Sequence, residues 1–207
     1  MRGSSPDRLN VNFMKAVFLD RDGVINEKAR EADYIARWED LRYMSDVFTS
    51  VAALQQAGFK IIIVTNQRGV ALGKVRRRDL EIIHTHMRED FSRHGVCITE
   101  IYVCPHNLAD HCSCRKPRPG MLIRAARDHA LDLSVSWMVG DSESDMEAGK
   151  RAGCRTARIL SAQLDNPGGQ DADIVSNDLA SVVSAILRFS QIPTPAVGAL
   201  SPSWGGA

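Results

Sequence analysis

The sequence of 207 residues is notable for the absence of long apolar runs and of excess charge. No apolar stretch approaches the roughly 18 residues that a membrane-spanning helix needs, so we expect no membrane partner. The formal net charge is +1, which argues against a large basic surface for nucleic acid. The N-terminal segment lacks the apolar centre of a secretion signal, and no segment repeats. The composition, 44% hydrophobic and 25% charged, favours one compact domain.

The ends of the chain and its cysteines suggest how the domain is bounded and where it resides. We expect residues 1–13 to be a flexible leader, 14–190 the folded domain, and the Pro- and Gly-rich residues 191–207 a disordered tail. Five cysteines, an odd number without a secretion signal, favour a reducing cytoplasm over a disulfide framework. Two of them, Cys97 and Cys154, are expected in the core.

Short apolar runs alternate with amphipathic segments along the chain. The pattern predicts strands at 15–19, 60–64, 99–103, 135–139, 156–159 and 173–175. It predicts helices at 45–57, 77–94, 119–130, 143–152 and 178–187. Alternation of this kind predicts an α/β fold with a parallel, Rossmann-like sheet covered by helices on both faces.

Polar clusters follow four of the predicted strands. They are DRDG, TNQRG, CPH and GDSESD, each directly after an apolar run. The carboxyl ends of parallel strands share one edge, which is where ligands bind in such sheets. Each cluster alone is an ordinary turn or helix cap, but their combination at one edge predicts a site.

Three aspartates should converge there, namely Asp20, Asp22 and Asp141. Carboxylates this close repel one another unless a cation joins them, and Mg²⁺ prefers a few carboxylate oxygens with water and phosphate. An ionised Asp20 beside Mg²⁺ can attack phosphorus to form an aspartyl phosphate. Asp22, two residues on, can act as general acid and then as general base.

Other polar residues at this edge suit the same phosphoryl chemistry. The hydroxyl of Thr65 and the backbone near Asn66 can bind phosphoryl oxygens. Lys116 supplies a compact positive charge, and Arg115 a bidentate fork for a second anionic group. Gln67 and Arg68, next in the same loop, are further candidates for binding the substrate.

The stretch CPHNLADHCSCRKP contains three of the five cysteines within eleven residues. Three thiolates and one imidazole, from Cys104, His106, Cys112 and Cys114, suit a tetrahedral Zn²⁺. Four protein ligands leave no position for water, so we expect a structural zinc that orders the loop before Arg115 and Lys116. His111 is the alternative ligand, and three buried free thiols with a surface histidine are the alternative without metal.

The motifs FLDRDGVIN, VTNQRGVALGK, CPH…CSCRKPRPGM and VGDSESDMEAG resemble the haloacid dehalogenase (HAD) superfamily. More narrowly they resemble the D-glycero-D-manno-heptose 1,7-bisphosphate 7-phosphatases. The resemblance implies a HAD-like fold with a minimal cap and a zinc-bound loop. It also implies a small sugar phosphate as substrate, in nucleotide-heptose and lipopolysaccharide biosynthesis. With so small a cap, we expect a monomer.

The resemblance also implies particular roles for the residues that match the family's motifs. Asp20 would be the nucleophile, Asp22 the acid/base, and Mg²⁺ would be held by Asp20, the Asp22 carbonyl and Asp141. Thr65 and Lys116 would stabilise the phosphoryl group, while Asn66 and Arg115 would contact substrate.

The sequence departs from the family pattern at three points, and other functions remain open. Ser142 stands where some members carry lysine, the zinc loop is short, and residues 27–33 form a longer segment than usual. Histidinol-phosphate phosphatase is the main alternative. A nucleic-acid 3′-phosphatase and a non-catalytic zinc-loop interaction protein are two further ones.

Overall fold

Six parallel strands form a single sheet in the computed structural model, which describes residues 13–29, 33–160 and 172–191. Nearly all of the predicted leader and tail therefore lies outside the described residues. The spatial order of the strands is β3-β2-β1-β4-β5-β6. Their bounds are β1 Ala16–Leu19, β2 Lys60–Asn66, β3 Ile98–Cys104, β4 Trp137–Gly140, β5 Arg155–Ile159 and β6 Ile174–Ser176. The prediction of a parallel Rossmann-like sheet is confirmed.

Five of the helices match the amphipathic segments predicted from sequence, and a sixth is a short helix directly after β2. The bounds are α1 Val47–Gln56, α2 Arg68–Ala71, α3 Arg77–Arg93, α4 Gly120–His129, α5 Glu143–Ala152 and α6 Leu179–Gln191. The segment between β1 and α1 contains one short 3₁₀ helix, Trp38–Asp40, so the described residues include no separate cap domain.

Side chains alternate between the two faces of the sheet and build two apolar layers. Val17 and Ile61 belong to the larger core, which is shared with α1, α3 and α6. Phe18 and Ile62, one residue later in each strand, belong to the second core, which is shared with α4 and α5. Because both faces are covered, the strands read as continuous apolar runs, and the molecule has three layers.

Strands β1 and β4 are neighbours although four α-helices and two strands separate them in the chain. The strand order reverses direction between them, which creates a crevice at their carboxyl ends. Asp20 follows β1 and Asp141 follows β4, and the backbone N–H of Asp20 donates to the Val139 carbonyl at 3.0 Å. The topology thus brings together residues about 120 positions apart.

Two local predictions were wrong. The fourth strand begins at Trp137, because Leu133–Val135 form a 3₁₀ turn whose N-cap, Asp132, accepts from the Ser134 N–H. Cys97 is exposed, since it lies between the inward-facing Val96 and Ile98 at the start of β3, whereas Cys154 is buried as expected. No helix in the described part of the chain is long and apolar enough to cross a membrane.

Candidate active site

Lys116 lies at the centre of the polar cluster, and its side chain is 1% exposed. Its ammonium contacts Asp20 Oδ1 at 2.8 Å and Asp145 Oδ1 at 2.6 Å, and it donates to the Val64 carbonyl at 2.8 Å. The contact with the carbonyl is a hydrogen bond, and the two carboxylates are ion-pair partners of the same ammonium. Burial alone would lower the pKa of Lys116, but Asp145 and Asp20 raise it above its ordinary value. The lysine is therefore a permanent positive charge at the end of the sheet.

Asp20 is held by two donors on one oxygen. Its Oδ1 accepts from the Arg21 backbone N–H at 2.7 Å as well as from Lys116. Burial raises the pKa of Asp20 to about 7, Asp145 and Asp22 add to the rise, and Lys116 opposes it. A divalent cation beside this carboxylate would lower its pKa again and keep it ionised.

Asp22 points into a dense set of donors. Arg21, which is 1% exposed, binds both of its carboxylate oxygens, at 2.8 and 2.9 Å. Asn26 and Gln67 each donate to it at 2.9 Å. Burial alone would raise the pKa of Asp22, but Arg21, Asn26 and Gln67 together hold it below its ordinary value. The carboxylate is thereby fixed in one orientation.

Asp141 has one paired and one unpaired oxygen. Lys28 Nζ lies 2.5 Å from its Oδ2, whereas Oδ1 is buried without a hydrogen-bond partner among the described residues. Gly23, at φ +96°, lies so close that a Cβ there would collide with Oδ2. Burial raises the pKa of Asp141, and Lys28 offsets part of the rise.

We use the name carboxylate pocket for Asp20, Asp141 and Asp145, whose oxygens lie within 4.8 Å of one another. Carboxylates at this spacing fit a hard divalent cation such as Mg²⁺, and the unpaired Asp141 Oδ1 supplies a ligand atom with no competing donor. Asp145 also accepts from Ser142 Oγ at 2.5 Å, which fixes it at the start of α5. The structure thus groups Asp145 with Asp20 and Asp141, whereas the Asp22 side chain lies with Arg21.

The end of β2 and the loop that follows it face the same pocket. Thr65 is buried, and its Oγ1 accepts from Gln67 Nε2 at 2.8 Å. Asn66 donates to the Lys116 carbonyl and accepts from the Lys116 N–H, both at 3.1 Å. Arg68 Nε donates to Asn107 Oδ1 at 2.9 Å and so joins this loop to the cysteine-rich one.

Arg115 differs from these neighbours because part of its guanidinium has no partner. Its Nη1 is buried and makes no hydrogen bond to the described residues. An unpaired guanidinium nitrogen next to Lys116 suits a further anionic oxygen.

The side chains of Cys104, His106, Cys112 and Cys114 converge, and we call them the thiol cluster. The Sγ atoms of Cys104 and Cys112 are 3.6 Å apart and those of Cys112 and Cys114 3.5 Å, while His106 Nδ1 is 3.2 Å from Cys114 Sγ. Tetrahedral Zn²⁺ with Zn–S bonds of about 2.3 Å requires sulfurs about 3.8 Å apart. Burial raises the pKa of Cys114 to about 12, a shift that a bound dication would reverse. His111 lies outside the cluster.

Sequence reasoning missed the roles of Asp145, Arg21 and Lys28. Asp145 lies in the first turn of α5, and Asp141 lies just before the N-cap of that helix, Ser142. Arg21 lies between the two aspartates of DRDG but is completely buried. Lys28 belongs to the long segment 27–33, to which we could assign no contact from the sequence.

Comparisons with known proteins agree on one family. A model of HAD-hydrolase-like proteins matches residues 113–181. A heptose-1,7-bisphosphate 7-phosphatase of Photorhabdus laumondii is 35% identical over 184 residues, covering 84% of this chain and 98% of the relative. One from Pseudomonas aeruginosa is 35% identical over 175 residues, covering 83% and 97%.

A solved structure shows the same fold. It is the D,D-heptose 1,7-bisphosphate phosphatase of B. bronchiseptica, complexed with magnesium and phosphate. It is 33% identical, has a TM-score of 0.75, and the match covers 85% of this chain and 99% of that one. The fold, the motifs and these near full-length matches together show that this chain belongs to the D-glycero-D-manno-heptose 1,7-bisphosphate 7-phosphatase family of HAD-like hydrolases.

Proposed function

We propose that this protein is a Mg²⁺-dependent phosphatase that removes the C7 phosphate of D-glycero-D-manno-heptose 1,7-bisphosphate in nucleotide-heptose biosynthesis. The observation that carries the proposal is the carboxylate pocket with the buried Lys116 ammonium on Asp20. The names of the relatives support the substrate, since proteins from several bacteria that match nearly end to end act on this bisphosphate.

Asp20 is the nucleophile in this proposal. Its carboxylate oxygen forms a bond to phosphorus while the bond from phosphorus to the sugar oxygen breaks, and the electron pair stays on the sugar oxygen. Lys116 and the Thr65 hydroxyl face the phosphoryl oxygens, whose negative charge they neutralise. A divalent cation held by Asp20 and Asp141 supplies the remaining charge neutralisation when it is bound.

Asp22 transfers the protons. It protonates the departing sugar oxygen, then takes a proton from the water that attacks the aspartyl phosphate and restores Asp20. The donors around Asp22 favour its ionised form, which is the form that the second step needs. Arrival of the anionic phosphate raises the pKa of this carboxyl and favours the protonated form that the first step needs.

The thiol cluster is proposed to hold a structural Zn²⁺. Its support is the spacing of the four ligand atoms, all within 4.8 Å of one another. The cluster ends at Cys114, directly before Arg115 and Lys116, so an ordered loop positions both cations. Arg115 Nη1, buried and without a partner among the described residues, would take the second phosphate of a bisphosphate.

Two further parts of the proposal concern the cell and the assembly. All five cysteines are free thiols, which supports a reducing cytoplasm as the place of the reaction. We also propose a monomer, which size-exclusion chromatography with light scattering would test.

The experiment is phosphate release with Mg²⁺ from both anomers of the heptose bisphosphate and from histidinol phosphate, with Asp20→Asn as the blank. We expect kcat/KM to be at least about 100-fold higher for one heptose anomer, which is about 2.7 kcal/mol of differential transition-state binding. A preference for histidinol phosphate would overturn the substrate. Equal rates for wild type and blank would overturn the catalytic role of Asp20.

A further inference from the structure

Gln67 lies between β2 and α2 and is buried, with 3% of its surface exposed. Its backbone N–H donates to the Cys104 carbonyl at 2.8 Å, which fixes the loop against the end of β3. Its side-chain Nε2 donates to Asp22 Oδ2 at 2.9 Å and to Thr65 Oγ1 at 2.8 Å. An amide nitrogen has two hydrogens, and both are therefore used inside the protein.

The contact with Thr65 determines which way that hydroxyl can act. A threonine hydroxyl has a single hydrogen to donate, and the oxygen can also accept. Because Gln67 donates to Oγ1, the Thr65 hydrogen cannot lie along the same line and points elsewhere. Phosphoryl oxygens only accept hydrogen bonds, so Gln67 leaves the Thr65 hydroxyl in the state that a phosphoryl group requires.

The contact with Asp22 fixes the acid/base carboxylate. Arg21 and Asn26 hold it from the side of the DRDG loop, and Gln67 holds Oδ2 from the loop after β2. One amide therefore connects a phosphoryl-binding hydroxyl with the group that exchanges protons with the leaving oxygen and water. Preorganised groups of this kind lower the barrier because they need no rearrangement during the reaction.

We propose that Gln67 is a positioning residue of the phosphoryl-transfer reaction, which orients Thr65 and Asp22 together, rather than a residue that binds substrate. This inference rests on the proposed phosphatase function. It revises the sequence-based expectation, in which Gln67 contacted the substrate with Asn66 and Arg68. A displacement of about 1 Å at a reacting group can lower the rate about 100-fold, so the expected loss on removing this amide is of that order.

The test is Gln67→Met, a side chain of similar length without hydrogen-bond donors, assayed with an alkyl and an aryl phosphate monoester. We expect kcat for the alkyl ester to fall about 10- to 100-fold while KM changes less than about threefold. The aryl leaving group needs little protonation, so its kcat should fall less. An unchanged kcat, or a change confined to KM, would overturn the proposal in favour of a substrate contact.

A double-mutant cycle separates positioning from a loss of folding. In the Thr65→Val background the Gln67→Met substitution should cost less than in wild type, because the part of its effect that acts through the Thr65 hydroxyl is already lost. Full additivity would overturn the proposal. Gln55→Met is the matched control, since Gln55 also bridges two partners, the Gly95 carbonyl and the Cys97 N–H, but lies away from the site. Wild-type protein without activity on either ester would instead count against the phosphatase function itself.

Discussion

The carboxylate pocket and the thiol cluster adjoin the same edge of the sheet but are assembled in different ways. The carboxylates come from two neighbouring strand ends about 120 residues apart in sequence, and the fold itself brings them together. The thiol cluster comes from one segment of eleven residues, Cys104 to Cys114. The pocket has a buried ammonium as an internal counter-charge, whereas the side-chain hydrogen bonds that the structure gives to the thiols run to one another and to His106.

This difference predicts different responses to the loss of a metal ion. The pocket should keep its geometry without a divalent cation, because Lys116 and the strand ends hold Asp20 and Asp145 in place. The thiol cluster should lose order at Cys112 and Cys114, because these two ligands belong to a loop with little apolar content, whereas Cys104 ends β3 in the core. We therefore expect the pocket to depend on the fold and the thiol cluster to depend on a bound zinc ion.

The largest expected effect is that of Lys116→Met, which removes the counter-charge of the pocket. Two buried carboxylates would lose their ion-pair partner, and breaking such a pair costs about 3–5 kcal/mol of stability. We expect kcat to fall by at least about 100-fold as well. Urea denaturation and steady-state kinetics measure the two effects, with Lys60→Met at the opposite end of the sheet as control. Unaltered stability would show that the pocket does not need this charge.

The next effect is that of Cys114→Ser on the thiol cluster. We expect bound zinc to fall from about one per chain to nearly none, with kcat/KM reduced up to about 100-fold while the far-ultraviolet circular dichroism of the sheet persists. Metal analysis and kinetics measure this. Cys97→Ser is the control, because Cys97 is exposed and outside the cluster. Zinc retained by Cys114→Ser would refute the ligand set.

A moderate effect is expected for the pH dependence of stability in Asp20→Asn, measured by thermal unfolding in chelator. Burial raises the pKa of Asp20 from 3.8 to about 7, so the folded state binds more protons than the unfolded state between these values. The stability that the protonated Asp20 contributes to the wild-type protein is fully present below about pH 4 and is lost as the pH rises through 7. The Tm of Asp20→Asn should therefore exceed that of wild type by a larger margin at pH 8 than at pH 5.

The control for that experiment is Asp40→Asn. Asp40 is exposed, and its hydrogen bond from Arg37 lowers its pKa, so its protonation does not change between pH 5 and 8. Its Tm difference from wild type should be constant over that range. A constant difference for Asp20→Asn too would mean that Asp20 stays ionised throughout.

The smallest effect is that of Lys28→Met on Mg²⁺ binding. The Lys28 ammonium lies 2.5 Å from Asp141 Oδ2 and opposes a second cation on the same carboxylate. Its side chain is 47% exposed, so solvent screens the repulsion, and we expect the Kd for Mg²⁺ to fall only severalfold. Isothermal titration calorimetry measures this, and Lys28→Arg should match wild type. Weaker binding by Lys28→Met would show that Lys28 instead orients Asp141 for the metal.

Much of the fold could be predicted because strands of the sheet are buried on both faces and read as plain apolar runs. Once parallel strands are inferred, Asp20 and Asp141 are expected at the same edge of the sheet, and the observed strand order makes them neighbours there. The thiol cluster is predictable for the opposite reason, because its ligands are close in sequence.

The directions of polar side chains beyond the strand ends could not be predicted. Periodicity ends where a strand ends, so nothing in TNQRG indicates that Gln67 turns inward while Arg115, in another loop, keeps a free nitrogen. The role of Asp145 follows from no local pattern, because its pairing with Lys116 depends on a loop 29 residues earlier. Such contacts follow from tertiary structure rather than from local pattern.

The Asn66 amide pairs with both backbone groups of Lys116, much as one more strand would. The main chain of Lys116 thus has an anchor in β2 in addition to the loop that precedes it. Insertions or deletions between His106 and Cys112 can therefore be absorbed without moving the reactive centre. Exchange of the segment between His106 and Cys112, in evolution or by design, could therefore change the substrate specificity without changing the catalytic residues.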